Sequence, residues 1–399
     1  MLNRKMSEKV AKLYNTYPFP PDPLLSEPPP GYNWRWNWIA AYNFCTGAKP
    51  PRQDIRILDA GCGTGSSTEY LIHLNPEAQV LGIDLSEQAL AVARERTQKS
   101  GIAAKYGDKL RFQRLKLEDA AEIEGEFELI NCVGVLHHLP NPVAGIEALS
   151  KKLAPGGIMH IFVYSELGRR EIQLMQQAIA LLQGDNREDY REGVKIGREI
   201  FANLPSDNPL VIREQQRWAL ENQRDACFAD MYLHPVEVDY NIETLFNLID
   251  ASGLEFVGFS NPSYWNLERL LGTSEELIKR GEQLSDRQRY RLIELLDPEI
   301  SHYEFFLARP PLVKLNWSDD QQLVEAIVEL NPCLDGWPGQ SLFNYDYQYV
   351  QLCELEYQFL ENCTAKPSTV GELLGELPQL NLEIVRSLQT RQIIVLTRK

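Results

Sequence analysis

Short apolar runs recur along the chain from residue 55 to residue 308, separated by longer stretches in which apolar positions repeat with helical spacing. Strand-length apolar runs followed by helix-length segments are typical of α/β domains with a parallel sheet. We therefore predict an α/β fold for residues 46–310. The runs that we expect to be its strands are residues 55–58, 80–84, 111–115, 127–132, 156–164, 254–259 and 302–308.

The stretch between the fifth and sixth predicted strands, residues 166–240, is much longer than an ordinary connection in a compact domain. Ile172, Met175 and Ile179 recur there at helical spacing, which predicts a helical insertion. Ligands of open α/β sheets bind outside the carboxyl ends of the strands, so an insertion after strand five can cover an acceptor. Residues 228–235 mix an acid, aromatic rings and a histidine, and we predict that they border that pocket.

Two further segments flank this domain. Residues 1–45 are rich in prolines and large rings, which favours extended backbone packed against the α/β domain, or a lid that brings Tyr14 or Tyr17 to its ligand site. Residues 311–399 have two short helical patterns and a strand-like tail, so a small α+β, winged-helix-like domain is predicted. That region is acidic, so protein contact or dimerisation fits it better than DNA binding.

A glycine-rich loop follows the first predicted strand. Gly61, Gly63 and Gly65 allow a tight turn and a close approach of the backbone to a ligand, and the following helix directs free N–H groups there. Dinucleotide enzymes use a related loop. Asp59 favours another ligand, because a carboxylate at this strand end repels a pyrophosphate but suits the cationic amino-acid end of S-adenosylmethionine.

Read as a whole, the loop from Asp59 through Cys62 to Gly65 resembles the first motif of class I S-adenosylmethionine-dependent methyltransferases. The resemblance implies a Rossmann-like, seven-strand, doubly wound sheet whose last strand is antiparallel, with S-adenosylmethionine as cofactor. It also implies that Asp84 binds the ribose hydroxyls, since a carboxylate offers two acceptor oxygens. The other residues that it places at the cofactor are Leu85, Leu117, Glu118, Cys132 and Val133.

The adenine-binding position carries an open question, because the register puts Lys116 and Leu117 where the family usually has an acid. Either Glu118 or Asp119 has taken over that role, or the Leu117 backbone alone contacts the base. The order of segments also resembles bacterial methyltransferases with a C-terminal regulatory domain, some of which modify protein lysines.

Candidate catalytic residues follow the fourth predicted strand, where His137 and His138 stand together. Family members with a similar segment line the methyl-transfer chamber with it. Neutral imidazole can accept a proton near physiological pH, so either histidine is a candidate base, with Tyr14 and Tyr17 as candidate covers. A structural role for either histidine, as a helix cap or a core residue, is the alternative.

Net charge, cysteine content and the length of apolar runs limit the classes of partner that we expect for this chain. A formal charge of −16 over 399 residues argues against a general nucleic-acid surface. Seven cysteines without paired spacing indicate reduced thiols in a cytoplasmic protein, and no apolar run is long enough to span a bilayer. No His, Asp or Glu spacing suggests a metal site.

We therefore predict a methyltransferase that acts on a nitrogen or oxygen nucleophile of a small molecule, peptide or protein side chain. A protein partner or a homodimer would form through the C-terminal domain. The alternatives are a non-catalytic binding or regulatory protein that keeps the cofactor fold, and an NAD-dependent enzyme.

Overall fold

The structure is a computed structural model, and it describes residues 2–24 and 34–398. The proline-rich run at residues 28–30, predicted to be extended, lies outside the described residues. A seven-stranded sheet forms the centre of the described chain. Its strands are β1 (Arg56–Ala60), β2 (Gln79–Asp84), β3 (Leu110–Arg114), β4 (Phe127–Val133), β5 (Leu153–Tyr164), β6 (Glu255–Phe259) and β7 (His302–Ala308).

The sheet has the order β3-β2-β1-β4-β5-β7-β6. Strands β1 to β5 pair in parallel, whereas β7 is antiparallel to both β5 and β6. The predicted Rossmann-like, doubly wound sheet with an antiparallel last strand is confirmed. The order reverses between β1 and β4, and ligands of such sheets bind at this switch point.

Helices cover both faces of the sheet and supply the insertion. The described helices of this part of the chain are α1 (Leu2–Thr16), α2 (Trp38–Thr46), α3 (Ser66–Leu74), α4 (Glu87–Lys99), α5 (Ile102–Tyr106), α6 (Pro142–Ser150), α7 (Arg170–Gln183), α8 (Tyr190–Asn203), α9 (Pro209–Arg217), α10 (Asp225–Leu233), α11 (Ile242–Ser252), α12 (Glu268–Leu271), α13 (Glu275–Glu282) and α14 (Asp286–Leu296). Helices α7 to α10 form the helical insertion that the sequence predicted after strand five.

The N-terminal segment begins with a helix instead of the extended backbone expected from its prolines. No proline precedes Pro18, so the backbone of α1 keeps its helical hydrogen bonds. Leu13 of α1 is buried in an apolar cluster with side chains of α7, α8 and α10. Lys9 and Lys12 form surface ion pairs with Glu188. The N-terminal helix is thus packed on the insertion.

The C-terminal region has its own apolar core, built around residues such as Phe359 and Leu388. Its elements are α15 (Asp320–Glu325), β8 (Ile327–Leu330), β9 (Ser341–Phe343), β10 (Tyr349–Gln351), α16 (Glu354–Ala365), β11 (Ser368–Thr369), α17 (Val370–Glu376), α18 (Leu382–Thr390) and β12 (Ile394–Thr397). The strands form an antiparallel sheet of order β11-β8-β12 and a β9-β10 hairpin. Two short helices and a terminal strand were predicted here, whereas the hairpin and α16 were not. The winged-helix-like description stays a prediction.

Within residues 2–24 and 34–398, none of the helices combines the length and the apolar character needed to cross a bilayer.

Candidate cofactor and acceptor site

The glycine loop between β1 and α3 is shaped by residues with left-handed backbone. Gly61 has φ of +81° and Gly63 has φ of +52°, a region that side chains with a Cβ rarely adopt. Space is also short, because a Cβ on Gly63 would lie 2.3 Å from the carbonyl oxygen of Phe19. A Cβ on Gly61 would lie 2.3 Å from a methyl carbon of Val135. Glycine is needed here for both conformation and packing.

Asp84 lies at the carboxyl end of β2 and closes the other side of the loop. Its Oδ2 accepts a hydrogen bond from the backbone N–H of Gly63 at 2.9 Å, and its Oδ1 accepts one from Ser86 at 2.7 Å. Burial raises the pKa of this carboxyl, and the hydrogen bonds from Ser86 and Gly63 counteract that shift. Each carboxylate oxygen has a second lone pair. The carboxylate is therefore oriented and can still accept bonds from a ligand.

A cavity of about 340 Å³ opens at this switch point of the sheet. Its volume falls within the range of small-molecule sites. One wall is the loop and the strand ends that sequence analysis assigned to the cofactor. The predicted residues on this wall are Gly61, Cys62, Gly63, Asp84, Leu85, Leu117, Glu118 and Val133.

The opposite wall comes from three separate parts of the chain. Tyr14 is on α1, Tyr164 ends β5, and Asp230 is on α10. The Tyr14 hydroxyl donates a hydrogen bond of 2.8 Å to Oδ1 of Asp230. Burial raises the pKa of both groups. A phenol and a carboxyl group thus face the same cavity as the glycine loop.

His138 also lines this wall, and its ring has a defined proton arrangement. Nδ1 lies 3.0 Å from the carbonyl oxygen of Val236, which can only accept, so Nδ1 carries the proton. In the neutral ring Nε2 is then the acceptor nitrogen. Burial lowers the pKa of His138 to about 4, against the opposing charge of Asp230. The ring is therefore neutral at physiological pH, and Nε2 keeps a free lone pair.

A further wall is the segment after α1, which crosses directly over the glycine loop. The carbonyl oxygen of Phe19 accepts a hydrogen bond of 3.1 Å from the Thr64 backbone, and that of Pro20 accepts one of 2.5 Å from its hydroxyl. The buried Arg96 of α4 donates to the carbonyl oxygens of Thr64 and Pro23. We call residues 19–23 the strap. The N-terminal segment is thereby bound to the glycine loop itself.

Several predicted site residues do not line the cavity. His137 is fully buried, and its ring centroid lies 3.9 Å from that of Tyr164, outside the cavity wall. Tyr17 packs against the apolar cluster that joins α1 to the insertion. Cys132 of β4 is buried in the apolar core, and Gly65 packs close to Ala93. These four residues lie outside the cavity lining, and a direct role for any of them stays a prediction.

Asp59 likewise lies behind the loop. Its oxygens accept hydrogen bonds from Ser67 at 2.7 Å, Thr68 at 2.6 Å and Asn131 at 2.8 Å. These contacts hold β1, α3 and β4 together beneath the glycines. The expected contact of Asp59 with the cofactor's ammonium group stays a prediction, and the interactions in the structure are those of a loop anchor.

Tyr164 and Trp36 also line the cavity, although neither was a predicted site residue. Tyr164 could have been found from its place at the carboxyl end of a predicted strand. Asp230 lies in the segment that was expected to border the pocket. Nothing in the sequence pairs it with Tyr14, because the two residues are 216 positions apart.

No group of three or more His, Cys, Asp or Glu side chains in the described part of the chain is arranged to hold a metal ion.

Comparison with known proteins agrees with this geometry. A methyltransferase domain family matches residues 58–159, which include the glycine loop, Asp84 and the strand-four turn. PKMT2 from Rickettsia typhi, solved in complex with AdoHcy, superposes with a TM-score of 0.61 at 15% identity, covering 93% of this chain and 77% of that one. That likeness shows a shared fold. The chain therefore carries a methyltransferase domain of the class I S-adenosylmethionine-dependent type, whose cofactor is S-adenosylmethionine.

The chain is 57% identical over 394 residues to the uncharacterized protein syc1184_c of Synechococcus, and the match covers 98% of this chain and 93% of that protein. It is also 74% identical over 100 residues to the uncharacterized phycocyanin operon protein W of Pseudanabaena tenuis, covering 25% of this chain and 94% of that protein.

Proposed function

We propose that this chain is an active methyltransferase that transfers a methyl group to a nitrogen or oxygen nucleophile of a small molecule, a peptide or a protein side chain. The observation that carries the proposal is the single cavity between the glycine loop and the group formed by Tyr14, His138, Tyr164 and Asp230. Cofactor-binding and acceptor-binding elements therefore face each other. The expected cytoplasmic location stays a prediction.

The cavity fits S-adenosylmethionine by the chemistry of its walls. Asp84 offers acceptor oxygens for ribose hydroxyls, and Leu117 and Glu118 lie where the base would bind. The glycine backbone leaves room where any Cβ would collide. When bound, the cofactor supplies a methyl group already activated by its sulfonium, so the protein has to position the acceptor and accept its proton.

The charges on the lining favour an acceptor that carries a proton. Acidic side chains outnumber cationic ones in the lining of the cavity. The acidic residues are Asp22, Asp84, Glu118 and Asp230, whereas Lys116 is the only lysine or arginine among the described lining residues. A carboxylate acceptor would be repelled by Asp230. An N–H or O–H group can instead donate to Asp230 or to the acceptor nitrogen of His138.

The same groups supply the proton chemistry. His138 presents a neutral ring whose Nδ1 proton is occupied by Val236, so Nε2 is the site that would take a proton from the acceptor. Tyr14 and Asp230 fix each other's orientation through their hydrogen bond. We assign His138 the role of base, and Tyr14 and Asp230 the role of holding the nucleophile.

The relative from a phycocyanin operon suggests which protein acceptors to test first. We propose the protein products of that operon as acceptors, because enzymes are often encoded beside their substrates. In the test, the chain is incubated with methyl-labelled S-adenosylmethionine and with phycocyanin that was produced in a host without this methyltransferase. A whole-cell extract, separated afterwards into protein and small-molecule fractions, is the second arm.

Release of S-adenosylhomocysteine with label in either fraction supports the enzyme, and the labelled fraction gives the acceptor class. A chain that binds the cofactor but yields no product in either arm would be the non-catalytic binding protein. A His138→Gln variant serves as the matched control, since it keeps the fold of the turn and should lose turnover.

A further inference from the structure

Four polar side chains form a row across one face of the central sheet. The strand register pairs Asp59 of β1 with Asn131 of β4, and Asn131 with His160 of β5. His160 faces Phe306 of β7, and Glu304 stands two residues away on the same face. Asp59, Asn131 and His160 are each at most 2% exposed. This row begins beneath the glycine loop at β1 and ends at β7 on the same face of the sheet.

The amide of Asn131 has only one orientation that satisfies its neighbours. The indole N–H of Trp36, which is purely a donor, lies 2.9 Å from Oδ1 of Asn131, and Nδ2 donates to Asp59 at 2.8 Å. A flipped amide would set two donors against each other at Trp36. Oδ1 of Asn131 is therefore an acceptor.

This orientation determines what His160 must donate. Nδ1 of His160 lies 2.9 Å from the same Oδ1 of Asn131, so Nδ1 carries a proton. Nε2 lies 3.0 Å from Oε1 of Glu304. A neutral ring with its proton on Nδ1 would direct a lone pair at that carboxylate.

Glu304 cannot provide the missing proton. Its Oε2 accepts a hydrogen bond from the Ser260 hydroxyl at 2.9 Å and pairs with the Arg35 guanidinium at 2.8 Å, so both contacts require an acceptor oxygen there. Burial raises the pKa of Glu304, but His160 and Arg35 outweigh burial and hold it at about 2. Burial lowers the pKa of His160 below its ordinary value, and Glu304 offsets only part of that shift. The hydrogen-bond geometry decides the outcome, because only a doubly protonated ring donates to both neighbours.

Charge balance in the cluster supports the same state. Arg35 pairs with Glu304 at 2.8 Å and lies 3.7 Å from Asp346 of the C-terminal region. Asp59, Glu304 and Asp346 thus contribute three acidic groups against one guanidinium in this cluster. An imidazolium at position 160 adds a second positive charge among them, where an unpaired buried charge would be costly.

We propose that His160 is a positioning residue, held as a buried imidazolium between Asn131 and Glu304, that locks the Asn131 amide and through it both the loop anchor Asp59 and the cavity residue Trp36. The ring thereby links Asp59 beneath the glycine loop and Trp36 of the N-terminal segment to Glu304 of β7, and through Arg35 to Asp346 of the C-terminal region. Only one part of this proposal rests on the proposed function, namely the expected effect of His160 on cofactor binding.

The first test is nitrogen NMR on the full chain with ¹⁵N-labelled histidine, the His160 signals being assigned through bonds from the backbone. We expect both ring nitrogens of His160 to give signals of protonated nitrogen at pH 7. One protonated and one unprotonated nitrogen would overturn the proposal. This measurement uses the wild-type chain without ligand, so it holds even if the chain binds no cofactor.

The second test uses two variants that each keep one of the two donors. His160→Asn retains a donor at the Nδ1 position, and His160→Gln retains one at the Nε2 position. We expect each to speed hydrogen exchange of the Trp36 indole N–H and weaken S-adenosylhomocysteine binding, each by about tenfold. His73→Gln, at the end of α3 and outside the cluster, is the control and should change neither.

Wild-type indole exchange and wild-type S-adenosylhomocysteine affinity in both variants would contradict a positioning role. If the wild-type chain binds no S-adenosylhomocysteine, the proposed function fails, while the NMR state and the Trp36 exchange still decide the role of His160.

Discussion

The hydroxyl of Tyr14 donates a hydrogen bond of 2.8 Å to Oδ1 of Asp230, which joins the N-terminal helix to the last helix of the insertion at the cavity wall. Neither residue belongs to the central sheet, whereas Tyr164 ends β5 and His138 lies in the turn after β4. This side of the cavity therefore combines the sheet with two segments that pack on it, the N-terminal helix and the insertion.

Replacing Tyr14 by Phe should lower kcat/KM by about tenfold to a hundredfold, because a buried hydrogen bond to a carboxyl group is lost. S-adenosylhomocysteine affinity should change by less than about threefold, since Asp84 and the glycine loop are untouched. Steady-state kinetics with the identified acceptor measures the first effect. Tyr17→Phe, whose ring packs on the insertion, is the control, and an equal loss in that variant would contradict the assignment.

Removing residues 1–24 should weaken S-adenosylhomocysteine binding by at least about tenfold and abolish turnover. A simple lid over the acceptor would leave cofactor affinity unchanged. The strap instead accepts hydrogen bonds from Thr64 in the loop, and Phe19 lines the cavity. Equilibrium dialysis of the truncated chain with labelled S-adenosylhomocysteine checks this. Unchanged affinity would show that the strap does not shape the cofactor site.

Replacing Arg96 by Met should reduce the free energy of unfolding by about 3–5 kcal/mol, because it leaves the fully buried Glu69 carboxylate without its partner at 3.1 Å. Chemical denaturation measures the change. Arg94→Met on the same helix breaks only an exposed pair with Glu87 and should cost less than about 1 kcal/mol. Similar losses in the two variants would contradict the role of Arg96 as the buried clamp of the strap.

Stability should fall as the pH drops below about 6.5. Burial lowers the pKa of His138 to about 4, so between these two values the unfolded chain binds a proton that the folded chain does not. The contribution of the neutral His138 ring to the free energy of unfolding is fully present above the pKa of histidine in the unfolded chain, and it is lost as the pH falls toward 4. This amounts to about 2 kcal/mol between pH 7 and pH 5.

Denaturation curves of the wild-type chain and of His138→Gln at these two pH values test this effect. The variant lacks the titrating ring and should lose correspondingly less stability on acidification. An equal pH dependence in both proteins would mean that His138 is not held neutral.

The parts of the fold that follow from local pattern were predictable from sequence. Most central strands contain an apolar run, whereas β3 alternates apolar and polar residues, and the loop glycines and Asp84 lie at fixed spacings from the strand ends. The pairing of Tyr14 with Asp230 was not predictable, because it depends on how α1 packs on the insertion. The placement of His137 was also beyond sequence, since adjacent residues in a short turn point to different sides, and only His138 reaches the cavity.

The helix α1 was missed because the prolines that follow it dominate the composition of the segment. The β9-β10 hairpin was missed because its strands are short and largely exposed, so they lack the apolar run by which the central strands were found.

The most direct test of the cofactor site is isothermal titration of the full chain with S-adenosylhomocysteine and, separately, with NAD, repeated with Asp84→Asn and with the exposed control Glu87→Gln. We predict that the wild-type chain and the control bind S-adenosylhomocysteine and not NAD. The Asp84→Asn variant should bind about tenfold to a hundredfold more weakly, because a charged acceptor of the ribose hydroxyls is lost. Binding of NAD without S-adenosylhomocysteine, or unchanged affinity in Asp84→Asn, would contradict the assignment of this cavity.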